Sequence, residues 1–409
     1  MNVMNRSSAL HVESTPGVRG APPSTHVADR GRIKVLHSVG HLLRGGIETW
    51  LYQMVTRLDP AQFEHHVLVW TDEEQAFTAD FRAAGVRVLP CLGHTNPLRF
   101  AANFRRLVAE NGPYDILHTH GTHYHGFVMM LAARAGIPAR IAHSHTDIKP
   151  VLAEASLPYK LYAGLGHAAI RHWATVGRGV SDLAAASMFN ADWRDDARFG
   201  VLYCGVDLEP FAAAPDPLLR ARLGIPEKSM VIGHVGRFEK QKNHSFLLET
   251  AAAVRRRDPA AHFLLIGDGS QRAEHVARAE ALGLSPHITF IPDCRTIPAH
   301  MIGAMDRFLF PSLYEGLPLV TVEAQAAGLP CLISDSLTRE ILVEGTSSRM
   351  LPLAAGVDAW AEALLALPAR TEASKAAMQA TLRRGPFNIV SAAASLASLY
   401  EQSLERSSR

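Results

Sequence analysis

The feature that most limits this chain is a repeated alternation of short apolar runs with helical stretches. From Ile33 it reads IKVLHSV, a Gly-containing turn, IETWLYQMVTRL and then HHVLVW, with further runs at VRVLP, DILHTH, RIAHSH and ATVG. Strands that alternate with helices pair in parallel and form a sheet covered on both faces. A second series starts at MVIGHVGRF and continues through HFLLIGDG, ITFIP, RFLFPS and PCLISD. Between the two lies VLYCGVDLEPFAAAPDPLLR, whose Pro and Gly suit an interdomain connection near Gly205 to Pro217. At 409 residues the chain exceeds one ordinary core, and its 47% hydrophobic content fills two. The predicted fold class is α/β, with two Rossmann-like domains facing each other across a cleft, over residues 32–207 and 218–386. Residues 387–405, FNIVSAAASLASLYEQSLE, predict an amphipathic helix with Ile389, Ala393, Leu396 and Tyr400 on one face. Residues 1–31 mix Ser, Pro, Gly and Arg without periodicity and read as a disordered leader that lacks the apolar stretch of a signal peptide.

A net charge of +2 offers no electrostatic footprint for nucleic acid. The run Arg255-Arg256-Arg257 reads as the solvated end of a helix. Cys91, Cys204, Cys294 and Cys331 are scattered without a CxxC spacing, which favours free thiols in a reducing cytoplasm. No run reaches the roughly 18 apolar residues of a membrane span, so membrane contact is expected to be peripheral. One place for it is the basic helix around Arg99, Arg105 and Arg106, though that segment reads better as an exposed amphipathic helix.

The segment FPSLYEGLPLVTVEAQAAGLP, from Phe310 to Pro330, holds two carboxylates, Glu315 and Glu323, across an expected strand-to-helix junction. Pro318 suits the first helical position, and the helix is expected to stop at Gly328 before Pro330. Glu323 is the only charge in an otherwise apolar helix, so it needs partners. Backbone amides near Gly316, Leu317 and Leu319 make an electropositive helix start suited to an anionic or polyhydroxylated ligand. Two readings stay open: a ligand site, or a Glu323 paired with a neighbouring cation and a Glu315 merely exposed in a turn.

Ligands of open α/β sheets bind beyond the carboxyl ends of the strands. GRFEKQKNH follows one such strand and places Arg237 and Lys242 in one loop, with Asn243 able to cap the next helix. Two cations there can clamp a diphosphate and stabilise it as a leaving group, or form an exposed basic loop. Arg44-Gly45-Gly46 precedes a helix containing Glu48 and allows close approach of a phosphate or sugar, or is a tight turn. DILHTHGTHYHG brings together His118, His120, His123 and His125, with His143 and His145 after the next strand. An HxH pair can ligate a metal, but no carboxylate-rich segment completes a site, and no metal is expected.

Together these residues resemble the retaining, nucleotide-sugar-dependent glycosyltransferases of the GT-B type, specifically the large family 4. The resemblance runs from Ile33 to about Leu404 and rests most on GRFEKQKN and EGLPLVTVE in that order. DILHTH, RIAHSH and YCGVDLEPF support it and resemble polysaccharide-assembly members. It implies that Arg237 and Lys242 hold the donor's diphosphate and that Glu323 accepts from the ribose hydroxyls. Glu315 and the amides of Gly316 and Leu317 would contact the donor sugar, Gly46 would approach from the opposite domain, and His120 would lie beside the transferred sugar. The base would stack near Gly267 and Ile291 to Asp293. The resemblance further implies a UDP-linked donor, no cofactor or metal, a glycan or lipid-linked acceptor, and a last helix that crosses back to the first domain. The protein would work in the cytoplasm, with peripheral contact at the inner face of the membrane.

Two departures stand out: Cys204 replaces the asparagine of many relatives before Gly205, and SSRML lacks a glycine common after this helix. Competing readings are a sugar-nucleotide epimerase or phosphorylase of the same fold, a metal hydrolase built on the His118 to His125 cluster, and a non-catalytic scaffold.

Overall fold

A computed structural model describes residues 31–43, 45–292, 294 and 296–407. The expected leader therefore lies, except for Gly31, outside the described residues, as do Arg44 and Asp293. The first sheet contains β1 (Ile33–Gly40), β2 (Phe63–Val69), β3 (Arg87–Pro90), β4 (Ile116–Thr119), β5 (Ala139–Ser144), β6 (Val176–Gly179) and β7 (Phe199–Val201). Their order is β3-β2-β1-β4-β5-β6-β7, and every pairing is parallel. The second sheet contains β8 (Val231–Val235), β9 (His262–Ile266), β10 (Ile288–Ile291), β11 (Arg307–Phe310), β12 (Cys331–Ser334) and β13 (Arg349–Leu351), ordered β10-β9-β8-β11-β12-β13 and again parallel. Every residue of β8, β9 and β12 is buried, which is why those strands read as continuous apolar runs rather than alternating ones.

The sequence reading omits β7 and β13. Each has three residues, too few for any periodicity, and exists because a neighbouring strand supplies its ladder: Gly177 to Gly179 for β7 and Leu332 to Ser334 for β13. The connection between the domains is likewise tied down, since Val206 forms a parallel bridge with Asn388. The last helix, Ile389–Ser407, lays Ile389, Ala393, Leu396, Leu399, Tyr400 and Leu404 into the core that holds Val35, Ile116, Ile141 and Val176. Burying each of the larger apolar side chains contributes about 1.5–3 kcal/mol, so this distant segment belongs energetically to the first sheet.

Strand order reverses between β1 and β4 in one sheet and between β8 and β11 in the other. Such switch points open a crevice beyond the strand ends. The two domains meet there: Ser181 Oγ donates to the Gly316 carbonyl at 2.6 Å, the Asp182 amide donates to Glu340 at 2.9 Å, and Lys240 pairs with Glu154 at 2.6 Å.

Candidate active site

The loop after β8 carries both expected cations. Arg237 is exposed, and among the described residues its guanidinium has no hydrogen-bond or ion-pair partner within contact distance. Lys242 instead turns inward, with Nζ 2.6 Å from Glu315 Oε1 and 4.8 Å from the centre of the Phe310 ring. Asn243 stands at the N-cap of His244–Arg257, but its side chain makes no cap bond; its Nδ2 donates to the Pro311 carbonyl at 3.2 Å and so ties this loop to the one after β11. The adjacent Gly267 has φ 147°, and a Cβ there would lie 2.1 Å from the Gly236 carbonyl, so glycine is needed to bring these two loops together. Its amide donates to Ile291 at 2.8 Å, placing Gly267 and Ile291 side by side.

The loop after β11 is built around Glu315, whose residue is 9% exposed. Its second oxygen accepts from Gln241 Nε2 at 2.8 Å, and Gln241 also donates to the Tyr314 carbonyl at 2.9 Å. Glu315 is therefore the anchor of Lys242 in this conformation rather than an exposed turn residue. The helix that follows spans Leu319–Ala326, one residue later than expected, because Pro318 takes the N-cap position. The amides of Gly316 and Leu317 make no hydrogen bond among the described residues, which leaves two donors at this helix start. Gly316 is wedged against the other domain: a Cβ there would lie 2.0 Å from the His145 carbonyl. Leu317 and Leu319 pack against the cores of both domains.

Glu323 has no ion-pair or hydrogen-bond partner for its carboxylate among the described residues, so the reading in which a neighbouring cation neutralises it does not hold. Burial pushes its pKa from the usual 4.5 up to about 7. A half-charged carboxyl in this position is an acceptor waiting for hydroxyl donors.

Across the crevice, Gly46 opens the helix Gly46–Val55, and a Cβ there would meet nothing within 4 Å. Two residues on, Glu48 is raised above the usual carboxylate range by burial, opposed by a bond to its own backbone and by the Arg237 charge from the facing domain. His120 is only 1% exposed. It bridges His37 at 3.0 Å and His145 at 3.2 Å, so it stands behind the cleft wall and reaches it through the partly exposed His145. Burial holds His37, His118, His120 and His143 well below the usual imidazole range, and His145 down at about 3. His123 and His125 leave this cluster: His123 packs on Tyr162 at 4.8 Å between ring centres, and His125 on Trp70 at 5.9 Å.

Gln241 escapes the sequence reading as a site residue, while Glu48 enters it only as part of the helix after Gly46 and His145 only as part of the histidine group. Gln241 lies inside the same GRFEKQKN segment as Lys242, which is a signal; Glu48 and His145 gain their places only when the domains meet.

Two parallel sheets with opposed switch points, a cation-bearing loop and a glutamate-bearing loop define a two-domain α/β enzyme of the GT-B type. Residues 45–200 match the family model described as a glycosyl transferase 4-like domain, and residues 229–369 that of the glycosyl transferases group 1. The chain is 32% identical over 379 residues to EpsF of Bacillus subtilis (strain 168), covering 91% of this chain and 97% of that one. It is 29% identical over 376 residues to the D-inositol 3-phosphate glycosyltransferase of Mycobacterium marinum, covering 88% and 77%. Among solved structures, Anabaena Alr3699/HepE in complex with UDP and glucose has a TM-score of 0.75 at 19% identity, covering 91% of this chain and all 100% of that one. Sucrose-phosphate synthase from Thermosynechococcus elongatus has a TM-score of 0.70 at 20% identity, covering 91% and 99%. The chain belongs to the GT-B glycosyltransferases of the family 4 type.

Proposed function

We propose that this glycosyltransferase is a retaining hexosyltransferase that moves a sugar from a UDP-linked donor to a glycan or lipid-linked acceptor in cell-surface polysaccharide assembly. The observation that carries this reading is Glu323, a carboxyl without a partner among the described residues, on the helix that begins beside the Lys242–Glu315 pair. Ribose hydroxyls would supply its hydrogen bonds. HepE has been solved with UDP-glucose, which supports the donor class.

Arg237, Lys242 and the amides of Gly316 and Leu317 would hold the diphosphate, doing by fixed charge and dipole what a divalent ion does elsewhere. Glu315 keeps Lys242 aimed and borders the donor sugar, with Gly46 opposite and His120 behind the wall. The base would lie near Gly267 and Ile291; Asp293, also expected there, is outside the described residues. In the transfer, the acceptor oxygen bonds to the anomeric carbon on the face from which the diphosphate leaves. The sugar–diphosphate bond breaks with its electron pair on the diphosphate, which takes the acceptor's proton. Domain closure would align these groups, and the contacts of Gly316 with His145 and Ser181 across the crevice support it.

A membrane-borne acceptor is supported by the helix Leu157–Trp173. Leu157, Leu161 and Leu165 form an exposed stripe, 61–73% accessible, beside exposed Tyr159, Tyr162 and Lys160. That pattern suits a helix lying at a lipid interface, and the surface adjoins the cleft through the Glu154–Lys240 pair. Among the described residues no helix is long and apolar enough to cross a membrane.

The test is a panel of nucleotide sugars incubated with and without acceptor. A UDP-sugar is expected to raise the apparent melting temperature, and glycosylated acceptor of retained configuration is expected to form. Conversion of the donor to an epimer without acceptor would replace this reading with the epimerase.

A further inference from the structure

Glu340 sits in the loop after β12, and its carboxylate is held by neutral donors drawn from both domains. Oε2 accepts from the Asp182 amide of the first domain at 2.9 Å and from the neighbouring Thr338 hydroxyl. Oε1 accepts from the Tyr203 hydroxyl at 2.7 Å. We propose that Glu340 is a positioning residue for the transfer reaction, a clasp that keeps the two domains closed and aligns the helix Leu319–Ala326 with the first domain. The proposal rests on the reading that transfer takes place in the cleft between them.

Each partner of the clasp is itself tied down. Asp182 opens the helix Asp182–Phe189, and Ser181 before it donates to the Gly316 carbonyl at 2.6 Å, so two successive residues of the first domain grip the second. The amides and dipole of a helix start favour a carboxylate, and charge-assisted bonds are about twice as strong as neutral ones. The Asp182 carboxylate pairs with Arg194, which offsets the like charge it brings beside Glu340. Tyr203 belongs to the connection between the domains and packs on Phe387, just before the last helix, with ring centres 5.1 Å apart.

Behind Glu340, the buried Gln325 donates to the Ile341 carbonyl at 2.8 Å and the Thr321 carbonyl at 3.0 Å, and accepts from the Val343 amide at 3.1 Å. The loop that carries Glu340 is thereby fixed to the helix that carries Glu323. A role confined to its own loop would need Thr338 alone. The bonds to Asp182 and Tyr203 reach the facing domain and the connection, and the first cannot survive parting of the domains.

Small-angle scattering and amide exchange on the full-length protein without ligand test the clasp. Glu340→Ala should enlarge the radius of gyration and speed exchange of the Asp182 amide by about tenfold. Glu340→Gln should stay close to wild type in both, because its carbonyl can accept from Asp182 and its amide can donate to the Tyr203 hydroxyl. In whichever transfer the nucleotide-sugar panel yields, Glu340→Ala should lose about tenfold in kcat with donor KM within about threefold of wild type, and Glu340→Gln should recover most of the loss. A merely structural residue would not give that split; it arises because Arg237, Lys242 and Glu323 lie together in one domain. Far-UV circular dichroism establishes that each variant is folded. Unchanged scattering and exchange in Glu340→Ala, or a kcat loss that Glu340→Gln shares in full, would overturn the proposal. Scattering and exchange involve no donor, so failure of the wild type to bind UDP would fall on the donor assignment and not on the clasp.

Discussion

Lys242 Nζ lies 2.6 Å from Glu315 Oε1, and the two side chains are 15% and 10% exposed. The pair joins the loop after β8 to the loop after β11 across the switch point of the second sheet. It holds the lysine proposed for the diphosphate in one place while its charge is still balanced by protein.

Removing either partner should harm both stability and turnover. Lys242→Met leaves a buried carboxylate and is expected to destabilise by about 3 kcal/mol, whereas Lys242→Met with Glu315→Gln recovers much of that. Turnover should fall at least a hundredfold in both, because the diphosphate loses its lysine. Urea melts and initial rates check the two effects separately.

Glu323 sets a pH dependence. Its pKa is raised to about 7, so the carboxylate proposed to accept from ribose is present above that pH and lost below it. Affinity for UDP-glucose, whose diphosphate does not titrate here, should fall about tenfold from pH 8 to 6, and Glu323→Gln should flatten the profile. The sign for stability is opposite. An acid whose folded value lies above its unfolded 4.5 costs stability as pH rises from 4.5 through about 7, so Glu323→Gln should gain in melting temperature relative to wild type over that range.

Gly316→Ala tests closure. Its methyl would fall 2.0 Å from the His145 carbonyl, so the domains cannot meet as they do here. The variant should melt close to wild type, lose at least tenfold in turnover, and show a larger radius of gyration by small-angle scattering.

Tyr400→Phe removes the hydroxyl that holds His118 at 2.8 Å from a point 282 residues away in sequence. Leaving that buried imidazole nitrogen without a partner should cost about 1–2 kcal/mol. Leu396→Ala, one turn earlier and fully buried, should cost about 2–5 kcal/mol. Denaturant melts of the first domain's transition measure both.

Local pattern carried most of the architecture. Eleven strands are visible as short apolar runs, unbroken where burial is continuous, as in Val231 to Val235, whereas β7 and β13 are too short to mark themselves. Arg237, Lys242, Glu315 and Glu323 stand out because charges at strand ends or inside apolar helices need a reason. What they touch is a different matter. That Gln241 and Lys242 both grip Glu315 depends on β8 pairing with β11, two strands about 70 residues apart. The shared face of His118 and His120 follows from strand alternation, but His37 and His65 join them only through the order of the sheet. His123 and His125 leave because the helix His125–Arg134 begins there.

The most direct measurement is UDP binding by calorimetry at pH 8 to wild type and to Glu323→Ala, with circular dichroism establishing that both are folded. Saturable binding by wild type and at least a tenfold loss in Glu323→Ala is the expected result. Equal affinity in the two proteins, or no binding by wild type, would contradict the donor site described here.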